Sequence, residues 1–272
     1  MKTNALTFLA AALLLLAPAL SSPTPSDAGP VLSVAAPVFS AAAQDARDLP
    51  DADELIARYV EAIGGRDAHA DPTSIRTSGA MSIPGMGLEG EFELIQIPDV
   101  GSRMNSSMPG LGEIMAGFDG EVGWSLNPMA GPQLMEGAEL EHMAERTRLA
   151  ATLRDPELVL ERETVDEVEV DGRPCYRVRL MWASGRESFD CYSTETGRLI
   201  RSEDVQVSEM GEVPTITEFS DYREFRGMVL PTRIVQRTMG MEQVMEITSV
   251  TVDDADADDL TPPAQIRTLL EG

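Results

Sequence analysis

Apolar residues recur at helical spacing where the patterned region begins: Leu55, Ile56, Tyr59, Val60 and Ile63 share one face. Pro50-Asp51 with Glu54 resembles a capping box, and Gly64-Gly65 is a stop. The segment therefore predicts an amphipathic helix of about fourteen residues with one face committed to a core. From Ile75 the period changes to two. Ile75, Thr77, Gly79, Met81 and Ile83 fall on one side, and Arg76, Ser78 and Ser82 on the other. After the turn Pro84-Gly85-Met86-Gly87, Leu88, Phe92 and Leu94 alternate with Glu89, Glu91 and Glu93. Val100, Met104 and Met108 then alternate with Arg103, Asn105 and Ser107. Ile114–Phe118 and Val122–Leu126 follow, joined at Asp119-Gly120. These are half-buried antiparallel strands of a meander.

A second helix is predicted over Glu136–Arg154, closed by Asp155-Pro156. Its apolar stripe is Leu140, Met143, Ala144, Thr147 and Ala151, with Glu139, Glu141, Glu145, Arg146 and Arg148 expected to face water. Longer strands are predicted near Val159–Val170, Cys175–Trp182, Glu187–Ser193, Leu199–Val207, Pro214–Phe225, Met228–Arg237 and Glu242–Val252, and a short helix over Pro262–Leu270. About a dozen strands make a sheet large enough to curl over one face. The expected fold is mainly β (α+β). A large curved antiparallel sheet forms an unclosed barrel, with the N-terminal and mid-chain helices packed on its concave side.

The first 43 residues stand apart. Lys2 precedes an apolar run from Leu6 to Leu20, and small residues offer cleavage after Ala19 or Ala43. The run is short of the roughly twenty residues that span a bilayer, so export to the periplasm or beyond is expected. Residues 44–272 then form one domain with no stable membrane insertion. Net charge is −25, and Lys2 is the only lysine. Such a chain repels nucleic acid and anionic membranes.

The two cysteines flank the hairpin whose turn lies near Ala183-Ser184-Gly185. A register in which Cys175 faces Cys191 and Arg179 faces Glu187 permits a disulfide in an oxidising compartment. The alternative is a pair of small buried or semi-exposed thiols.

Candidate chemistry is sparse. His69 and His142 are the only histidines, and the Glu139/His142 spacing supplies too few ligands for a metal. Asp254, Asp256 and Asp258 mimic the start of a calcium loop. The position that needs Gly holds Asp259 and the closing Glu is Gln265, so a solvated acidic turn is expected. No nucleophile elbow, zinc-protease motif or phosphate loop occurs. Neither catalytic residues nor a cofactor or metal are expected. The chain has fifteen methionines. Met81, Met104, Met108, Met115, Met135 and Met143 fall in or near the expected concavity, where flexible thioethers suit either ordinary core filling or a cavity for variable acyl chains.

Three sets of residues carry a family resemblance. They are Phe118-Asp119-Gly120 with Trp124 and Pro128; Tyr192 to Leu199 with Thr194-Glu195-Thr196-Gly197; and Phe219-Ser220-Asp221-Tyr222 with Phe225, Gly227 and Leu230-Pro231-Thr232. In this order the chain from about Asp51 to Leu260 resembles the LolA/LolB-like superfamily of periplasmic lipoprotein carriers, the outer-membrane lipoprotein-sorting proteins. The resemblance implies an unclosed barrel, lidded by helices, that holds lipid or lipoprotein acyl chains. Met81, Phe92, Met104, Ile114, Phe118, Trp124, Leu140 and Met143 become the candidate lining. The expected partner is a lipid or acylated lipoprotein, with envelope proteins as further candidates and a monomeric state. Two other classes stay open. One is an envelope interaction module with a filled core. The other is a carboxylate lipid hydrolase, which needs a polar cluster on the concave face where alternation predicts apolar residues.

Overall fold

The computed structural model describes residues 49–208 and 211–271. The leader expected over residues 1–43 and the turn at Met210 lie outside them. Helix α1 (Ala52–Ala62) starts at Asp51, whose carboxylate accepts from the amides of Asp53 and Glu54, and ends at Ile63. Gly64 follows at φ 108°, in the left-handed region. A Cβ there would sit 2.0 Å from the carbonyl oxygen of Gly227, so only glycine fits. A short helix α2 (Gly65–Ala70) continues where the pattern predicts only a stop.

Six short strands follow: β1 (Ile75–Ile83), β2 (Leu88–Ile97), β3 (Gly101–Met108), β4 (Gly112–Phe118), β5 (Gly123–Asn127) and β6 (Gly131–Met135). β6 is an addition to the expected strands, because Pro132 and the glycine beside it hide a five-residue edge strand. The mid-chain helix is broken into α3 (Gly137–Arg146) and α4 (Leu149–Thr152). The break has a local cause: the Thr147 hydroxyl donates to the Ala144 carbonyl at 2.7 Å, and Arg148 is extended. Seven further strands, most of them longer, complete the sheet: β7 (Val159–Val170), β8 (Arg173–Trp182), β9 (Glu187–Ser193), β10 (Leu199–Ser208), β11 (Gly211–Phe225), β12 (Met228–Thr238) and β13 (Met241–Val252). Helix α5 (Ala264–Glu271) closes the described chain.

The thirteen strands form one antiparallel sheet in the order β6-β5-β4-β3-β2-β1-β13-β12-β11-β10-β9-β8-β7. It is not closed, since β6 and β7 are its two edges. Helices α1, α3 and α4 fill the concave side. Tyr59 of α1 stacks against Tyr192 with ring centroids 5.2 Å apart. The Ile63 carbonyl accepts from the Val229 amide at 2.7 Å. Helix α3 reaches both limbs of the sheet: Leu140 lies against Gly123 of β5, and Arg146 reaches Asp204 of β10. One hydrophobic core runs beneath the helices from Ile75 and Leu94 through Met245 and Ile234 to Leu180.

Concave side chains are not apolar throughout, which departs from the simple alternation. Thr215, Thr217, Gln236, Thr238 and Gln243 are buried on that face, with the Gln243 amide donating to the Met81 sulfur. The helical face also differs from the expected one. Glu145 and Arg146, expected in water, are 8% and 6% exposed.

The convex side carries two smaller layers. Cys175 and Cys191 form a disulfide with Cα atoms 5.5 Å apart, packed against Val170 and Ile200. The register differs from the expected one by two residues, since Cys175 faces Ser193 and Arg179 faces Phe189. Cys175–Cys191 and Arg179–Glu187 (3.4 Å) are therefore diagonal neighbours, close enough to interact across a twisted ladder. At the other limb, residues 257–260 and α5 pack on β2, β3, β5 and β6. The Arg103 guanidinium donates to the Asp259 carbonyl at 3.0 Å.

Edge strand β7 is bulged twice and exposes Glu161, Glu163, Glu167 and Glu169. Replacing both cysteines by serine should lower unfolding stability by about 3 kcal/mol, the loop-closure effect of a disulfide spanning this separation. Urea unfolding monitored by tryptophan fluorescence measures the difference.

Candidate functional site

The described residues enclose a cleft of about 610 Å³ where α3 approaches the ends of β9, β10 and β11. Ala138, Glu141 and His142 form one wall, the Ser184-Gly185-Arg186 turn another, and Phe189, Val205, Pro214 and Ile216 supply apolar surface. A volume in the range of about 300–1,000 Å³ suits a small-molecule site. The α3 wall is positioned by the i, i+3 and i, i+4 spacing that puts His142, Glu145 and Arg146 on the turn facing β10.

The inner wall of the cleft is an ion cluster. Asp204 accepts from Arg186 at 2.7 Å and from Arg146 at 3.2 Å. Arg186 also donates to Glu145 at 2.7 Å, and Arg146 Nε donates to His142 Nε2 at 3.1 Å. The Arg186 guanidinium lies 4.1 Å from the Trp182 ring centroid, a cation–π contact. Behind it, Arg154 donates to Asp190 at 2.7 Å, and Tyr192 shares the same oxygen at 3.0 Å. Two carboxylates and two guanidiniums thus balance at the cleft, and a third pair balances beneath it.

Burial acts on each titrating group, and its neighbours decide the outcome. Burial pushes Asp204 up, but Arg186, Arg146 and His142 together hold its carboxyl below the ordinary 3.8. His142 moves from 6.5 to about 2, first by burial and then by Arg146 and Arg186, so the ring is neutral and its Nε2 accepts. Burial raises Tyr59 to about 12. Among the described residues no group of three or more His, Cys, Asp or Glu is placed to hold a metal.

The sequence-predicted lining residues are elsewhere. Met81, Phe92, Met104, Ile114, Phe118 and Met143 sit together in the concave core, with Leu140 packed against them. None of these seven lines the cleft. Trp124 requires a correction. It pairs with Gly117 rather than Phe118, so it points to the convex side, fully buried in the layer that α5 covers. Gly117 leaves room for its ring, since a Cβ there would approach the indole to 2.7 Å. Met115 also faces away from the concavity, in register with Asn105 and Leu126. Glu145, Arg146, Arg186 and Asp204 are functional candidates that sequence reasoning misses. Their only sequence signal is the helical spacing of His142 and Arg146, because Arg186 and Asp204 lie on other elements.

No family model and no curated protein sequence matches the chain. Solved structures do. A LolA superfamily protein from Nitrosomonas europaea superposes with a TM-score of 0.52 at 13% identity, covering 79% of this chain and 99% of that one. The fold is that of the LolA superfamily. A domain from Vibrio parahaemolyticus, described as an outer membrane lipoprotein-sorting protein, gives a TM-score of 0.50 at 10% identity, covering 82% and 100%. The LolA-type sheet of this chain also has no described helix long and apolar enough to cross a membrane.

Asp204→Asn should destabilise the protein by about 3 kcal/mol, because both arginines are left buried without their shared carboxylate. The histidine gives a pH signature. The folded state withholds a proton that the unfolded chain takes up near pH 6.5, so stability should fall as pH drops from 6.5 toward about 2. Asp204 contributes stability that is present above the ordinary 3.8 and is lost as pH falls from there through its depressed folded value. His142→Gln should flatten the decline between about pH 7 and pH 5, read by urea unfolding at each pH.

Proposed function

We propose that this chain is an exported, non-catalytic carrier that shelters an acyl chain of a lipid or lipoprotein inside its curved sheet. Residues 44–272 act as one domain, as a monomer in the periplasm or outside the cell. The cleft beside α3 is the entrance. The methionine-lined core beneath it takes up the chain when α3 shifts, with Leu140 and Met143 moving out of the way.

The single observation that carries this assignment is the cleft itself. It is about 610 Å³, partly apolar, and it lies beside α3, a helix that covers the hydrophobic interior of the curved sheet. Further support comes from the core composition. Met81, Met104, Met108, Met135 and Met143 are flexible enough to repack around variable chains. A hydrolytic role gains little from the charged cluster on the concave side, because its carboxylates are each held by arginine. A filled-core interaction module is favoured by one observation, the tight packing of the expected lining residues.

Native mass spectrometry of the protein purified from a bacterial periplasm without detergent separates the two. Adducts with the mass of a phospholipid or acylated peptide are expected. A mass that stays clean after lipid is added would establish the interaction module instead. Ala138→Trp, which fills the cleft from its exposed wall, should weaken binding of a fluorescent fatty acid by about tenfold or more without unfolding the protein. Unchanged affinity would remove the cleft from the site.

A further inference from the structure

Along the limb of the sheet from β12 to β6, the connections between strands divide by chemistry according to the end on which they fall. Antiparallel order puts alternate connections at one end. Residues 84–87, 109–111, 128–130 and 239–240 share an end, and they read Pro-Gly-Met-Gly, Pro-Gly-Leu, Pro-Met-Ala and Met-Gly, without one charge. Connections at the opposite end carry Asp99, Asp119, Glu121, Asp171, Glu195 and Arg226. On these four uncharged tips Met86, Met129 and Met239 are 49%, 60% and 63% exposed. The other limb at this end is charged: the Ser184-Gly185 turn at the cleft is followed by Arg186, held by Glu145 and Asp204, and the β10–β11 connection carries Glu209 in sequence.

We infer that this methionine rim is a docking surface for an electrically neutral lipid bilayer, which it approaches with the cleft mouth turned toward the membrane. The inference goes beyond the carrier role, and it stands on placement and charge. A chain of net charge −25 gains nothing from an anionic surface, yet the four adjacent connections from β12 to β6 at this end are uncharged and largely apolar. These four tips lack the Trp, Tyr and Arg that anchor protein partners. Unbranched thioethers on hairpin tips can bury their ends among disordered acyl groups with little demand on geometry.

Flotation with phosphatidylcholine vesicles tests the surface. The unmodified protein should float. Combined Met86→Ser, Met129→Ser and Met239→Ser should reduce partitioning at least about tenfold. Val100→Ser, at the charged end, should change nothing, and phosphatidylglycerol vesicles should bind less protein than neutral ones. The inference is overturned by an unmodified protein that does not float, by a triple variant that floats normally, by an equal loss in Val100→Ser, or by stronger binding to the anionic vesicles. The three single variants, checked by circular dichroism, decide the matter in the same way if the combined one misfolds. Fatty-acid binding is measured alongside. If it is absent while methionine-dependent flotation persists, the carrier role fails and the docking surface stands.

Discussion

A sheet of thirteen strands with one largely apolar face must have that face covered, and every other feature of the protein follows from how the cover is fixed. Helix α1 is held from below by backbone: the Ile63 carbonyl to the Val229 amide, and Gly64 in contact with Gly227. Arg58 adds bonds to the carbonyls of Thr194 and Glu195. Helix α3 is held differently. It meets β5 through Leu140 and β10 through charge, so its two attachments differ in how readily they release. Hydrophobic contact is non-directional and tolerates sliding. A buried ion cluster with arginine forks has two states, made and broken.

Electrostatics at the cleft therefore contribute to position more than to stability. Taking Arg146, Arg186, Glu145 and Asp204 out of water costs free energy that their mutual attraction roughly offsets. What the cluster supplies is a defined geometry for α3 over the interior. The neutral His142 completes it by accepting from Arg146. On the convex side, where arginines and glutamates alternate across strands, the same residue types are solvent-exposed and worth much less per pair.

The order and type of most elements are legible because each strand of a one-sided sheet alternates and each turn carries its glycine. The LolA-type architecture follows from strand count and motif order together. Three things are hidden for physical reasons. The five-residue β6, with Gly131 and Pro132, carries too little periodicity to register. The hairpin register depends on how many residues the turn around Ala183–Gly185 takes, a two-residue ambiguity that leaves faces unchanged but moves partners. Trp124 lies one step from Phe118 across the ladder, and period two cannot say which face of a strand buried on both sides is the concave one. The ion cluster joins α3 to β10 and to the turn between β8 and β9, so its members are distant in sequence and each one alone reads as a solvated charge.

The open sheet leaves two unpaired edges, and one of them is dressed in acid. Glu161, Glu163, Glu167 and Glu169 project from a twice-bulged β7, while β6 is short and carries proline. A strand from another molecule that tried to extend the ladder at β7 would meet a broken hydrogen-bond template and a row of like charges. The β7 edge of this unclosed barrel thus resists strand addition, a protection that closure supplies elsewhere and that bulges and four glutamates supply here.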